Sequence, residues 1–218
     1  MGHRLCGDAA LDLLAPRLGD AVIELGCGPG MGVRAALKRV GRDGFAAGIE
    51  RTLLVAARCG ERLVPCVTEL GGKSPNVILE DADFTKAVSG GVAQVFNNSG
   101  QSCNAPTRMI VPASKMTEVK AIAKAVADKT KAGDPKAEGT TIGPVVNRTQ
   151  WDKIQALIKK GVDEGATLET GGTGLPSNVN RGYYIKPTVF SGVTRDMRIA
   201  NEEIFGPVAT IMAYGDLD

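Results

Sequence analysis

The sequence predicts an α/β fold with a mostly parallel sheet, and two patterns along its 218 residues support that prediction. Apolar runs of strand length alternate with longer stretches of helical period, the order of elements typical of parallel α/β proteins. Turns rich in glycine, serine and asparagine separate them, with a surface loop over 171–182. The predicted strands are 21–25, 45–49, 64–70, 76–79, 107–111, 187–190 and 208–213. The predicted helices are 8–17, 31–40, one from the cap at 81–83 to about 97, 114–132 and 147–164.

Composition excludes several classes of function. The chain is 43% hydrophobic and 23% charged, as in ordinary globular proteins. Its 26 Lys and Arg residues nearly balance 24 Asp and Glu, and only 4% of residues are aromatic, so no nucleic-acid partner is expected. No apolar run reaches the roughly 18–20 residues of a membrane span. The first residues lack the pattern of a signal peptide, so we predict a cytoplasmic protein with no membrane partner.

The supply of metal ligands and catalytic bases is small. The one histidine is His3, which argues against a Ser-His-Asp triad and against histidine-based metal sites. No Cys-x-x-Cys pair occurs, so neither a zinc ribbon nor a redox dithiol is expected, and no metal site is predicted. A nucleophile in this chain must be activated by a carboxylate, a lysine or the local field. The five cysteines are irregularly spaced: Cys6, Cys27, Cys59, Cys66 and Cys103.

A glycine-rich turn follows the first predicted strand and precedes a helix. Glycines in such a turn let the backbone approach a ligand, and the helix N-terminus offers free N–H donors. An acid at the end of the next strand is placed to accept hydrogen bonds from ribose hydroxyls. A tight strand-to-helix turn without a ligand is the alternative. The segment 3–55 resembles the first motif of S-adenosylmethionine-dependent methyltransferases, and the resemblance makes Glu24, Gly26, Gly28, Gly30 and Glu50 the cofactor-binding residues.

Three further motifs occur in order along the rest of the chain. They are Glu-Leu-Gly-Gly-Lys-Ser-Pro at 69–75, Gly-Gln-Ser-Cys at 100–103 and Asn-Glu-Glu-Ile-Phe-Gly-Pro-Val at 201–208. Together they resemble the aldehyde dehydrogenase superfamily over about residues 60–218. The resemblance implies a three-layer fold with helices on both faces of the sheet. The order of strand, helix and strand in the first fifty residues predicts a Rossmann-like βαβ unit before it. It also implies NAD or NADP as cofactor and a small aldehyde as substrate.

Cys103 is the candidate nucleophile. Small polar neighbours leave its thiol reachable, and a thiolate adds to an aldehyde carbonyl to give a tetrahedral oxyanion. A buried, inert cysteine is the alternative. By the resemblance, Glu69 is the base that activates water, Gly71 lies in the turn along the nicotinamide end of the cofactor, Glu203 holds the nicotinamide ribose, and Phe205 packs near the ring. A surface acid at 69, a solvated pair at 202–203 and a core residue at 205 are the alternatives.

The sequence also departs from that family. The Pro-Trp-Asn segment that supplies the second oxyanion donor is absent, and so are the family's adenosine-ribose lysine and its own glycine turn. We therefore interpret the chain as a hybrid of a methyltransferase-like unit at 1–55 and a partial dehydrogenase catalytic domain at 56–218. Impaired dehydrogenase activity is expected from a truncated or chimeric form. An S-adenosylmethionine-binding protein, or a non-catalytic hybrid that forms homo-oligomers through exposed sheet edges, are the alternatives.

Overall fold

The computed structural model describes residues 21–25, 45–49, 66–68 and 71–215. By its internal contacts the chain divides into two compact units, Met1–Leu70 and Gly71–Asp218. The predicted boundary between residues 55 and 56 was drawn between two family resemblances, whereas the division at residue 70 follows from contacts within the chain. The two boundaries describe different properties, so the one at 55 and 56 stays a prediction.

The first unit contains a small parallel sheet. Its strands are β1 (Ala21–Leu25), β2 (Phe45–Ile49) and β3 (Cys66–Thr68), and the sheet order is β2-β1-β3. The bounds of β1 and β2 are the predicted ones, and Glu24 lies on β1 opposite Gly48. The segment 26–44, which contains the glycine-rich turn, and Glu50 lie outside the described residues, as do the helices predicted at 8–17 and 31–40. The βαβ unit with its cofactor turn therefore stays a prediction.

The second unit is built on a five-stranded sheet of order β4-β5-β8-β7-β6. The pairs β4–β5, β5–β8 and β8–β7 are parallel, and only β6 is antiparallel to its neighbour. The predicted mostly parallel sheet is therefore confirmed. The strands are β4 (Pro75–Val77), β5 (Arg108–Pro112), β6 (Thr167–Thr170), β7 (Thr188–Ser191) and β8 (Val208–Tyr214).

Helices cover both faces of this sheet. They are α1 (Phe84–Phe96), α2 (Met116–Lys129), α3 (Arg148–Asp163) and the single turn α4 (Arg198–Asn201). Successive strand residues enter opposite cores because side chains alternate along a strand. On β7, Val189 joins the core formed with α1 and α2, whereas Phe190 joins the core formed with α3 and α4. The three-layer arrangement is thus confirmed for this unit, and no described helix is both long and apolar enough to cross a membrane.

Helices α1 and α3 each begin at a side-chain cap, and the cap of α1 is the one predicted at 81–83. Asp83 accepts the backbone N–H of Lys86 at 3.0 Å and caps α1. Asn147 accepts the backbone N–H of Gln150 at 2.9 Å and caps α3. Such side chains satisfy a donor that the first helical turn leaves free.

Asn147→Ala is expected to lower the free energy of unfolding by about 1 kcal/mol, because the free N–H group loses its acceptor. Trp151, the only tryptophan of the chain, is on the same helix, so its fluorescence during urea unfolding measures the change. Asn180→Ala, at an exposed loop position, is the control. Equal unfolding midpoints for the two variants would contradict the assigned cap.

Two elements are missing from the sequence prediction, β6 and α4. Strand β6 is exposed over its first half and lies at the sheet edge, so it carries no apolar alternation. Contacts with α2 stabilise it instead. Lys120 forms an ion pair with Glu169 at 2.6 Å, and Thr170 donates a hydrogen bond to Asp128 at 2.8 Å. Strand β6 is therefore stabilised by residues distant in sequence, which no local pattern reveals. Helix α4 has only four residues, too few to show a periodic pattern.

Candidate active site

Cys103 is exposed and its thiol is free. It lies in the segment 97–107 between α1 and β5, here called the cysteine turn. Three residues of this turn are in the left-handed backbone region: Asn98 at φ 52°, Ser99 at φ 56° and Gly100 at φ 74°. For Asn98 and Ser99 this conformation is strained, and such strain persists only where neighbouring structure enforces it. Accessibility of the thiol agrees with the sequence prediction.

The backbone of Gly100 lies directly against a second loop. A Cβ atom at this position would stand 2.0 Å from both the carbonyl carbon and the carbonyl oxygen of Gly206, and 2.5 Å from the nitrogen of Pro207. Only glycine permits this approach, and its positive φ adds the same requirement. The cysteine turn is therefore held against the Gly-Pro part of the third sequence motif.

Three hydrogen bonds hold the turn on its other sides. The Ser99 hydroxyl donates to the carbonyl of Gly143 at 2.8 Å, and Gln101 Oε1 accepts the N–H of Val146 at 2.9 Å. The Ser74 hydroxyl donates a long bond, 3.5 Å, to the carbonyl of Cys103. Ser74 of the first motif therefore contacts the cysteine turn, although it lies 29 residues from Cys103 in sequence.

Glu203 lies on the glycine turn of the first of the three motifs. Its Oε1 accepts the N–H of Gly72 at 3.1 Å, and a Cβ atom on Gly71 would stand 2.1 Å from the same oxygen. The neighbouring Glu202 instead forms an ion pair with Arg198. The two acids, indistinguishable in sequence, thus have different partners, and only Glu203 contacts the Gly-Gly turn.

Residues of α3 fix the backbone that carries Glu203. Lys153 Nζ donates to the carbonyl of Glu203 at 2.6 Å. The Gln150 side-chain amide donates to the carbonyls of Ile204 and Phe205 at 3.1 and 3.0 Å. Phe205 is half-buried with a left-handed φ of 58°, a conformation that Gln150 stabilises by satisfying the turned carbonyls.

The side-chain amine of Lys73 is buried near these residues. Its Nζ atom is buried and has no hydrogen-bond partner in the described part of the chain. Burial first, and then the positive charge of Arg108, lower the pKa of Lys73 to about 7, while the Glu203 carboxylate acts in the opposite direction. The amine is therefore charged below pH 7 and neutral well above it.

This pKa predicts that the protein gains stability as the pH rises. A lysine that ionises near 10.5 when unfolded and near 7 when folded binds fewer protons in the folded state between those values. The cost of burying the charge is complete below pH 7 and is relieved as the pH rises, so the free energy of unfolding increases. Thermal melts from pH 7 to 9.5 should show this rise in the parent, a flat profile in Lys73→Met, and the parental profile in the exposed control Lys136→Met. Parallel profiles for the parent and Lys73→Met would contradict it.

A cavity of about 530 Å³ lies beside α4, on the sheet face opposite α1 and α2. Arg108 reaches it from β5, and Arg195, Asp196 and Asn201 line its other side. The Nε atom of Arg108 is buried without a hydrogen-bond partner in the described residues. No group of three or more acidic, histidine or cysteine residues in the described ranges is arranged to hold a metal ion.

The structure thus brings together four of the predicted site residues: Cys103, Gly71, Glu203 and Phe205. Glu69, the proposed base, lies outside the described residues, as do Gly26, Gly28, Gly30 and Glu50. Sequence reasoning missed Gln150 and Lys153, whose signal is their i,i+3 spacing on the first turns of α3. It also left Lys73 without a role although the lysine is part of the first motif.

The three motifs are joined by contacts between segments far apart in sequence, and comparison with known proteins identifies the arrangement. Residues 40–218 match the aldehyde dehydrogenase family. The chain belongs to this family. It is 45% identical over 192 residues to the 3-succinoylsemialdehyde-pyridine dehydrogenase of a Pseudomonas species. The matched stretch covers 88% of this chain and 40% of that relative.

Solved aldehyde dehydrogenase structures agree. A mutant of aldehyde dehydrogenase C from Pseudomonas syringae, in complex with NAD⁺ and octanal, is 40% identical with a TM-score of 0.71 over 90% of this chain and 36% of its own. The enzyme from Bartonella henselae is 49% identical with a TM-score of 0.71, over 74% of this chain and 34% of its own. The chain therefore spans about a third to two-fifths of the length of these aldehyde dehydrogenases.

These matches confirm the dehydrogenase resemblance predicted for 60–218 and extend it. The family match begins at residue 40, so β2 and Glu50 lie inside it. Residues 40–55 therefore belong both to this match and to the methyltransferase-like unit predicted at 1–55. For the glycine-rich turn at 26–30, which precedes the family match, the cofactor role stays a prediction.

Proposed function

We propose that this chain is an aldehyde dehydrogenase-type oxidoreductase that oxidises an aldehyde to a carboxylic acid, with Cys103 as nucleophile and NAD or NADP as hydride acceptor. The observation that supports this most is the convergence of the cysteine turn, the Gly-Gly turn and the Glu203–Pro207 loop through direct contacts. The exposed thiol provides a nucleophile, and the half-buried Glu203 carboxylate on the Gly-Gly turn provides a hydroxyl acceptor. Ser74, two residues after that turn, contacts the backbone of Cys103.

Cys103 performs the first chemical step. Its thiolate sulfur forms a bond to the carbonyl carbon of the aldehyde, and the carbonyl π electrons move to the oxygen, giving a thiohemiacetal oxyanion. The backbone N–H of Cys103 is the proposed donor to that oxyanion, since a fixed donor is worth about 10²–10³ in rate. When the oxyanion collapses, the carbon loses a hydride and becomes a thioester. When bound, NAD or NADP would accept this hydride.

Hydrolysis of the thioester returns the thiol. A water adds to the acyl carbon, its proton passes to a base, and the sulfur leaves as thiolate with release of the carboxylate. Glu69 is the proposed base because it belongs to the same motif as Ser74, whose hydroxyl contacts the Cys103 turn.

The residues present fit the nicotinamide end of the dinucleotide. Gly71 leaves room for the Glu203 carboxylate, whose oxygens can accept hydrogen bonds from a ribose diol, and Phe205 supplies a half-buried aromatic ring two residues further on. Gln150 and Lys153 keep this loop in place through its carbonyls.

The first experiment is a thermal melt of the chain alone, with NAD, with NADP and with S-adenosylmethionine. A ligand at about 100 times its Kd adds roughly 2.7 kcal/mol to the stability of the native state, a readily measured shift. A shift with NAD or NADP, followed by aldehyde-dependent formation of the reduced dinucleotide, supports the proposal. A melt that neither dinucleotide moves at millimolar concentration overturns it.

The alternatives give different results in the same melt. A shift with S-adenosylmethionine alone, lost in Gly28→Val, would favour the methyltransferase-like interpretation of the first unit. A cooperative melt that no ligand moves would favour a non-catalytic protein. For that case the two edge strands of the large sheet, β4 and β6, are the proposed surfaces for homo-oligomer formation, tested by sedimentation.

A further inference from the structure

The cavity beside α4 is lined by charged side chains from two separate parts of the second unit. Its volume of about 530 Å³ falls within the roughly 300–1,000 Å³ of small-molecule sites. One arginine reaches it from β5 and another from the segment that precedes α4, so segments distant in sequence form it together. We call it the arginine cleft, and its lining residues are Arg108, Arg195, Asp196, Ala200, Asn201 and Met212.

Arg108 lines the cleft from a strand whose backbone is held on both sides. Its N–H donates to the carbonyl of Ser74 at 3.2 Å, and it lies in register with Thr210 on β8. Its Nε atom is covered, yet this donor has no hydrogen-bond partner among the residues that the structure describes. A charged donor removed from water without an acceptor is unfavourable. An acidic ligand in the cleft would supply that acceptor.

The opposite wall of the cleft is fixed by Asn201. Its side-chain amide donates to the carbonyls of Arg195 and Met197, at 2.6 and 3.0 Å, which joins the segment before α4 to the end of that helix. Arg195 is exposed, and no described residue forms a hydrogen bond or an ion pair with its guanidinium. The two arginines of the cleft therefore stand on backbone that is held in place, without a described acid paired to either.

The charges of the lining favour a single carboxylate over a phosphate. Two arginines (+2) and Asp196 (−1) give the cleft a formal charge of +1, which one carboxylate neutralises. A phosphate group carries about two negative charges at pH 8, and Asp196 would repel the second. The planar guanidinium also matches the two oxygens of a carboxylate. Ala200 and Met212 add an apolar part to the lining, which suits a short hydrocarbon chain.

We propose that the arginine cleft binds a small organic acid, with the carboxylate between the two arginines and the short apolar chain against Ala200 and Met212. Neither Cys103 nor Glu203 lines the cleft, so this site is separate from the proposed catalytic one. Acids of this class are also the products of the proposed reaction, so a product that accumulates would occupy the cleft. That consequence rests on the proposed function, whereas the binding itself does not.

The test follows the Nε–H signal of Arg108 by ¹⁵N NMR while butyrate is added at pH 8 and constant ionic strength. Butyrate should move this signal saturably, with a Kd on the order of millimolar, because its carboxylate becomes the missing acceptor. Butyramide, an uncharged analogue of the same size, should leave the signal in place, and phosphate should bind more weakly than butyrate. A signal that butyrate moves no more than butyramide does overturns the proposal. Tighter binding of phosphate overturns the assignment to an organic acid.

Substitutions test the charges of the cleft one at a time. Arg195→Gln should weaken butyrate binding by about tenfold, since it removes one of the two charged donors. Arg181→Gln, which removes an exposed arginine outside the cleft, is the matched control and should leave the affinity unchanged. Asp196→Asn should strengthen the binding of phosphate more than that of butyrate, because the repelling charge is gone. Equal butyrate affinity in the parent and in Arg195→Gln would overturn the site.

A carboxylate supplied by a second copy of the chain would give a different result. The Arg108 signal would then move with protein concentration before any butyrate is added, and sedimentation would show a dimer. That outcome would overturn the assignment to a small molecule. These measurements need neither dinucleotide nor aldehyde, so the butyrate titration decides the cleft whether or not the proposed dehydrogenase activity is found.

Discussion

Cys103→Ala is expected to abolish the acyl chemistry proposed for the chain, both aldehyde-dependent reduction of NAD and release of nitrophenol from an activated ester. The reason is chemical, because no thioester forms without the sulfur nucleophile, and the scarcity of histidine leaves no substitute of the Ser-His type. The ester assay needs no dinucleotide, so it tests the nucleophile separately from the cofactor site. Rates should fall to that of buffer alone.

The control for this loss is a second cysteine of the same chain. Cys66→Ala, on β3 of the first unit, should leave ester turnover and labelling by iodoacetamide at Cys103 unchanged. Ester turnover in Cys103→Ala equal to that of the parent would assign the reaction to another group. Equal folding of the two variants, judged by Trp151 fluorescence, excludes a structural cause.

Gly100→Ala is expected to have the largest effect on stability among single substitutions at the site. The left-handed backbone costs a non-glycine residue about 1–3 kcal/mol. The added Cβ would also stand 2.0 Å from backbone atoms of Gly206, which cannot move aside as a flexible side chain can. The combined loss should be roughly 3 kcal/mol or more in urea unfolding followed by Trp151 fluorescence.

Reactivity should change together with stability in this variant. The cysteine turn must move away from the Gly206–Pro207 loop, so ester turnover should fall even in conditions where the variant stays folded. Gly90→Ala is the matched control: it lies on the exposed side of α1 with nothing within 4 Å of the new Cβ, and it should stabilise the protein by about 0.8–1 kcal/mol. Equal unfolding midpoints for Gly100→Ala and the parent would contradict the packing described for the turn.

Local chemistry in the sequence was sufficient to predict most elements of the fold. Strands β1 and β2 have the predicted bounds, α1 begins at the predicted cap, and α3 begins one residue after its predicted start. Period and capping are properties of neighbouring residues, so the sequence carries them directly. The exposed thiol of Cys103 was predicted in the same way, from the small polar residues around it.

Other features depend on contacts that sequence alone cannot reveal. Strand β6 has no apolar alternation because it is an edge strand, and its pairing with β7 defines it. Glu202 and Glu203 are adjacent and chemically identical, yet one pairs with Arg198 and the other accepts a hydrogen bond from Gly72, 131 residues away. The family resemblance singled out Glu203, and the fold adds the contacts that separate it from Glu202.

By itself, the sequence determined the α/β class, the three motifs and the family to which the chain belongs, since each is written in residues close together along the chain. The tertiary structure alone decided that the cysteine turn lies against Gly206, that Glu203 is the acid on the Gly-Gly turn, and that the amine of Lys73 is covered. The physical reason is that burial and electrostatic pairing depend on which distant segments the sheet brings together, and no local pattern specifies that.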